Sequence, residues 1–476
     1  MPGRAVVLSL LAAAAAALPG QGPEPVLSPG VLETARALLE KASSGSRASQ
    51  WVAGLTDRAG SRLAGSRGDR EAVAWGLETL RALGFANVHP EKVTVKVWQR
   101  GAESGEVLSP SSQPLALTAL GGGVATTDGG VEGEILEVSS LEELDRKGAA
   151  ARGKIVFFNK KMERAADMTG YERAVDVRGR GPSRAARHGA IGVLIRSVGT
   201  GQDRLPHTGG LRYDEKLSRL PAAALSIPDA ERLERLGRSG RPVRVRFALS
   251  CGDKGEAESA NVIGEIPGSG KAGEIVLLGA HLDSWDLGTG AIDDGAGCGI
   301  VIEAARLIGQ LPRRPARTIR IVLFANEENG LGGGLAYAKS HAAELPRHAA
   351  ALEADAGTGA PRGFSWLAGP SAEPVVREVA RLLEPVGAGK LFGDGRGGAD
   401  IWPLRVSGVP LFSVLQDMSR YFDDHHTAND TFDKIEPESL DRVVAAVAAF
   451  AYVAASTPEP FDRVPPGKRK LPEFFR

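Results

Sequence analysis

Three continuous apolar runs, EIVLLGA (274–280), TIRIVLFA (318–325) and AAALEAD (349–355), limit what this chain can fold into more than any other feature. None alternates with period two through its length, so each reads as a strand buried on both faces. Such strands make the middle of a mainly parallel sheet, and the stretches between them supply covering helices. Gly295 to Ile308 reads as a helix with small residues on one face, and Pro437 to Ala455 as the helix that closes the domain. The expected fold class is therefore α/β, a mainly parallel mixed sheet sandwiched by helices. In open sheets of this kind, ligands bind beyond the carboxyl ends of the strands.

Upstream the pattern changes twice. GDREAVAWGLETLRALG (68–84) has helical spacing and ends on a glycine, and Val88, Val93, Val95 and Val97 suit a strand. From about 105 to 255, short β-type runs (GEILEV, GKIVFF, GVLIRS, VRVRFAL) and glycine-rich turns replace long helices, apart from one helix around Arg184 to His188. Residues 30–104 alone are too short to close a sheet. The expected organisation is a catalytic domain in two parts, 30–104 and 257–460, with a β-rich module at 105–256 inserted between them and a basic tail at 461–476. MPGRAVVLSLLAAAAAALPGQGPEP has the basic start, short apolar run and small residues of a secretory signal, expected over 1–22. This implies a secreted or periplasmic protein, an uncleaved anchor being the alternative. No later run is expected to approach the ~20 apolar residues of a membrane span. Lys+Arg and Asp+Glu balance at 58 each, so no net field favours nucleic acid or an anionic membrane. Cys251 and Cys298 cannot form a disulfide framework, and whether they bridge is open.

The chemistry gathers at the strand ends. His281-Leu-Asp283 follows the first run; its imidazole could bind metal while Asp283 accepts a hydrogen bond from the other ring nitrogen, or the two form a structural pair. AIDDGAG places Asp293 and Asp294 on a turn opening a helix, where one could bridge two metals or cap the helix. FANEENG ends a strand with Glu327 and Glu328, costly to bury unless paired or metal-bound. Asp355 ends LEAD, with Glu353 two residues back and expected on the same face; His425 and His426 lie in YFDDHHTANDT, where one of the pair suffices as a ligand. Imidazole and carboxylate are the ligands of hydrolytic zinc sites, which also need an acid/base beside the metal. Five such residues in order, His281, Asp293, Glu328, Asp355 and His426, suit a two-zinc site with Glu327 as proton carrier. Gly288-Thr-Gly290 lacks the third glycine of a nucleotide loop. His207 in LPHTGG stands out among the scattered histidines.

The set HLD…AIDDGAG…NEENG…EADAG…HHTANDT resembles the di-zinc exopeptidases related to bacterial leucyl aminopeptidase and aminopeptidase Y, and HLDSWDLGTGAIDDGAG is most similar to their carboxypeptidase Q branch. The resemblance extends over nearly the whole mature chain and implies a zinc-exopeptidase fold of the phosphorylase/hydrolase-like type, with a protease-associated module in the insertion. It implies that His281 and Asp355 hold one zinc ion, Glu328 and His426 a second, and that Asp293 bridges them. It favours Asp293 over Asp294 and His426 over His425, and assigns Glu327 as general base and Asp283 as the carboxylate orienting His281. A short peptide substrate, dipeptidase or aminopeptidase action and a homodimer are implied in the same way. A non-catalytic binding protein and a single-zinc glutaminyl-cyclase-like transferase share the fold, but the full ligand set speaks against both. GDGRGGADIW (393–402) and the surroundings of Tyr421 are expected to line the substrate pocket.

Overall fold

A computed structural model describes residues 26–470 except 394 and 396, so the expected signal segment and the end of the tail lie outside the described residues. The apolar runs pair side by side. Lys271–His281 lies parallel between Arg317–Phe324 and His348–Glu353, and Leu411–Gln416 runs parallel beyond the last of these. Register sets His281 beside Phe324, and Glu353 beside Gly279, so the carboxyl ends of the three apolar strands share one rim. The full eight-stranded order is Ala86–Gln99, Gly252–Ile266, Arg317–Phe324, Lys271–His281, His348–Glu353, Leu411–Gln416, Pro361–Leu367 and Leu391–Phe392. The outer pairings include antiparallel ones, which makes the sheet mixed.

Helices cover both faces. On one, Ala296–Gly309 and Pro437–Ser456 pack with Ala48–Ala59 in a single apolar core. The alanines of Pro437–Ser456 let it approach closely, and the Phe450 ring packs at a tilt 4.7 Å from that of Phe412 and 4.9 Å from that of Phe364. This helix is long and apolar enough to cross a membrane, which corrects the expectation that no later run would be. It is buried along most of its length and serves as the core helix of the sheet. Opposite, Phe324, Tyr337, Trp402 and Leu404 form a second core. The helix read at 68–84 spans Arg67–Ala82; the Ser66 hydroxyl accepts from the Asp69 N–H, and Gly84 adopts φ +76° where the chain turns into the strand.

That strand, Ala86–Gln99, pairs antiparallel with Gly252–Ile266, so the N-terminal part completes the sheet of the C-terminal half. The chain between builds a second eight-stranded sheet, running Gln113–Pro114, Glu103–Ser109, Arg244–Leu249, Val131–Val138, Ile155–Phe158, Gly192–Arg196, Ala222–Leu225 and Leu117–Ala119. The one helix expected around Arg184 to His188 is Asp176–Arg187, and Leu141–Lys147, Thr169–Ala174 and Ile227–Gly237 are helical as well, which the short apolar runs did not disclose. Cys251 and Cys298 are both free and buried.

Candidate metal centre

His281 closes its strand, and its Nδ1–H donates to the Asp283 carbonyl at 3.1 Å. That leaves Nε2 facing Asp293 Oδ1 at 3.1 Å and Asp355 Oδ1 at 3.8 Å. The other oxygen of Asp293, Oδ2, lies 3.2 Å from His426 Nε2, which in turn is 3.0 Å from Glu328 Oε2. His426 Nδ1 donates to the Thr208 carbonyl at 3.3 Å, so its Nε2 is likewise the free lone pair. Asp293 therefore stands between two donor sets and turns one oxygen to each. Its neighbour Asp294 points away, accepting from the His281 N–H at 3.0 Å and the Gly297 N–H at 2.9 Å, and so caps the helix that follows.

The chemistry of the donor set fits zinc. Zinc bonds of ~2.0–2.1 Å in a tetrahedron set neighbouring donor atoms about 3.4 Å apart. The contacts above fall on either side of that spacing, and His281, Asp293 and Asp355 all offer atoms within 4.8 Å of one another. His425 complicates the second set. Its ring stacks 3.5 Å from His426, its Nε2 lies 3.4 Å from Asp293 Oδ2, and its buried Nδ1 has no partner among the described residues.

Two expected contacts differ. The Asp283 carboxylate is 3.7 Å from His281 Nδ1 and accepts instead from the Glu327 N–H at 2.9 Å and the Glu328 N–H at 3.4 Å. Beyond the strand end the Asp283 carbonyl reaches the ring, which frees the carboxylate to satisfy the donors of the glutamate turn. Glu353 is in neither donor set. Its strand stops at Glu353, so the alternation of faces does not carry on to Asp355, and its carboxylate accepts from the N–H groups of Asp400 (3.4 Å) and Ile401 (3.0 Å). It thereby anchors the segment expected to line the pocket, of which Asp400 is fully buried.

Two other supports, Arg62 and Asp430, are not among the residues the sequence singles out. Fully buried Arg62 donates from Nε to the Leu282 carbonyl at 2.5 Å, from Nη2 to the Gly290 carbonyl at 2.8 Å, and from Nη1 to the Thr289 carbonyl. Asp430 accepts from the Ile292 N–H at 2.7 Å and the Asp293 N–H at 3.3 Å, across a turn whose Asp293–Asp294 peptide is cis. Asp430 belongs to the HHTANDT motif, and its fixed distance from His426 was the one available clue.

Burial dominates the electrostatics. It pushes the Glu327 carboxyl well above the usual carboxylate range, His281 opposing and Glu328 and Asp355 adding to the rise. Burial also raises Asp430 to about 8 and Glu353 to about 8. Asp293 goes the other way: against its burial, the imidazoles of His281 and His426 hold it well below that range. The second sheet's lobe encloses one side, where Tyr171 and Met162 pack against Ile292, Met418, Tyr421 and Phe422. The Trp285 indole forms another wall, 5.8 Å from the His426 ring, while the backbone N–H of Trp285 donates to Glu328 Oε1 at 3.3 Å.

This arrangement has relatives. Residues 261–451, which contain every candidate ligand, match the model of peptidase family M28. Carboxypeptidase Q of Mus musculus is 36% identical over 409 residues, covering 86% of this chain and 86% of its own. The crystal structure of a peptidase M28 precursor from Shewanella amazonensis superposes with a TM-score of 0.90 at 45% identity, over 92% of this chain and 99% of that one. A zinc aminopeptidase from Bacillus subtilis shares the fold, with a TM-score of 0.63 at 19% identity over 88% of this chain and 98% of its own. The chain belongs to peptidase family M28 and is related to carboxypeptidase Q.

Proposed function

We propose that this M28 peptidase is a secreted two-zinc exopeptidase that hydrolyses dipeptides or removes terminal residues from short peptides. The observation that carries the reading is the division of Asp293, one oxygen toward His281 and Asp355 and the other toward His426 and Glu328. In this reading the first pair would hold one zinc ion and the second pair another, with Asp293 shared between them. Bound zinc supplies Lewis acidity for the scissile carbonyl and for activating water. Glu327 stands directly before a ligand, and its carboxylate makes no hydrogen bond or ion pair among the described residues. It is thus free to take the proton of the attacking water and return it to the leaving amine. Asp283 holds the backbone of Glu327 and Glu328 together, which keeps the base beside its ligand neighbour. Tyr171, Met162 and Trp285 wall the cluster and exclude bulk water, in keeping with a short substrate. Export with removal of 1–22, an inserted protease-associated-like module at 105–256 and a homodimer belong to the same proposal.

The test pairs metal analysis with a substrate panel. About two zinc ions per chain, and chelator-sensitive release of free amino acids from dipeptides, are expected. Folded protein that takes up no zinc and hydrolyses no peptide refutes the reading. N-blocked and C-blocked peptides then separate aminopeptidase, carboxypeptidase and dipeptidase action.

A further inference from the structure

Among the described residues, His426 is a candidate ligand held from the lobe of the second sheet. Its Nδ1 donates to the carbonyl of Thr208, and the Thr208 N–H donates back to the His426 carbonyl at 3.0 Å. One residue earlier on each segment of this contact, His207 Nδ1 donates to the His425 carbonyl at 2.7 Å. His426 has φ +61°, a left-handed conformation that a residue with a side chain adopts only when its surroundings fix it. The reciprocal bonds from 207–208 supply that constraint. The clamp is itself buttressed: Arg178 Nη1 reaches the same Thr208 carbonyl at 3.4 Å, and Nη2 holds the Tyr171 hydroxyl. Arg100 Nη2 holds Thr208 Oγ1 at 3.0 Å, and Thr208 Oγ1 donates to the Ala119 carbonyl at 2.9 Å. A Cβ on Gly209 would collide with the Arg178 guanidinium, so that glycine admits the arginine. Arg178 is buried, and its Nε has no partner among the described residues. Burying a guanidinium with one donor unmet is costly, which points to a demand on its place rather than a packing convenience.

We propose that His207 and Arg178 are positioning residues for His426, so that metal affinity at the Glu328–His426 set is governed by the lobe of the second sheet. The inference rests on the two-zinc reading of the cluster. A partner to the non-ligating nitrogen of a metal histidine sets its tautomer and direction, and losing such support costs about 10–100-fold in metal affinity.

The experiment titrates metal-free full-length protein with zinc against a chromophoric chelator, and with cobalt(II) to read the visible bands of the site. R178M and H207L are expected to bind one of the two ions about 10–100-fold more weakly, with altered cobalt bands. H207N, which keeps a donor for the His425 carbonyl, is expected to restore affinity to within about threefold of the parent. Arg164 fastens the same lobe to the same loop through Asp423 at 2.6 Å and the Ser419 carbonyl but does not touch the clamp, so R164Q is expected to bind both ions normally. Should R178M fail to fold, R178K keeps the charge, loses the fork, and carries the same direction of change. Unchanged affinity in R178M and H207L, or an equal loss in R164Q, overturns the inference while leaving the two-zinc reading intact. Unmutated protein that takes up no zinc overturns both.

Discussion

Arg62 is the residue whose replacement tests the architecture of the site most directly. Its guanidinium joins the loop after His281, through Leu282, to the loop before Asp293, through Thr289 and Gly290. R62M keeps most of the buried volume and removes all three hydrogen bonds. A hydrogen bond to a charged donor contributes about 1.5–3 kcal/mol, so the gross loss is roughly 5–9 kcal/mol. Against this, methionine avoids the desolvation of a buried guanidinium, itself several kcal/mol. The three carbonyls left behind lose a partner in a place water enters poorly, which returns part of the difference. The expected net destabilisation is about 3–5 kcal/mol, in line with breaking one side of a buried charged contact. Urea unfolding of the metal-free protein reads this as a lower midpoint at unchanged slope. R62K, which can satisfy some of the carbonyls, should fall between. Activity should fall further than stability implies, because misplacing a catalytic group by ~1 Å costs about a hundredfold. If R62M lies within about 1 kcal/mol of the parent, the two loops are held by something else and the argument from Arg62 is wrong.

Other expectations follow from single contacts. E327Q should retain zinc and lose turnover by about 10²–10⁴-fold, measured as metal content against dipeptide hydrolysis; near-normal turnover would remove Glu327 as the proton carrier. A Cβ on Gly121 would sit inside the Trp285 ring, so G121A should displace that indole from His426, costing about 1–3 kcal/mol and reducing hydrolysis, whereas an unchanged enzyme would show that Trp285 has room to yield. Chelation should lower the unfolding midpoint, by about 4 kcal/mol when the free zinc had been a thousandfold above its dissociation constant. Far from the site, Glu344 is held at about 2 despite partial burial, because Arg320 donates to it at 2.6 Å. Its folded value lies below its ordinary 4.5, so its stabilisation is complete above that pH and disappears as pH falls toward 2. E344Q should therefore flatten the acid limb of the stability–pH curve, and an unaltered limb would refute the pairing. His341, held on both ring nitrogens by Glu91 and Glu344, is raised, so its share has the opposite sense, present below its ordinary 6.5 and lost as pH rises.

The sequence discloses the sheet because a strand buried on both faces must be apolar throughout, and the ends of such strands are where polar residues are conspicuous. His281, Glu327 and Glu328 were legible for that reason: each breaks an apolar run where the chain leaves the sheet. Asp283 and Glu353 show where the inference stops. Both predictions extended the geometry of a strand or its neighbour past the strand's last residue, and there the backbone turns freely and its own donors and acceptors compete for the side chains. Arg62, Thr208 and Arg178 were invisible for another reason. They act on backbone carbonyls or through one, and a carbonyl carries no residue identity. Nothing in a linear reading ties Arg62 to Gly290 or Thr208 to His426, because closing those distances depends on the whole fold.

Charge explains why so much of the fold converges on this rim. Asp283, Asp293, Asp294, Asp400 and Asp430 are all buried here, and Glu327, Glu328 and Glu353 crowd the same region. The buried guanidiniums of Arg62 and Arg178 are far too few to neutralise them. An uncompensated buried carboxylate costs several kcal/mol, so the protein needs either protons or metal cations at the centre. Burial raises most of these carboxyls and so favours protons on them, but protons cannot serve the whole set. Asp430 and Glu353, raised to about 8, can carry them near neutrality, but Asp293 is held well below the carboxylate range by the imidazoles on either side and stays ionised. The group that both donor sets share is therefore the one least able to discharge itself; the imidazoles of His281 and His426, both raised against their burial by the surrounding carboxylates, balance it here, and in the proposed two-zinc reading metal ions would take over that role. In that reading metal binding and stability would be coupled through Asp293, and every contact that fixes its two oxygens, from Asp430 on the backbone side to Thr208 behind His426, would act on both.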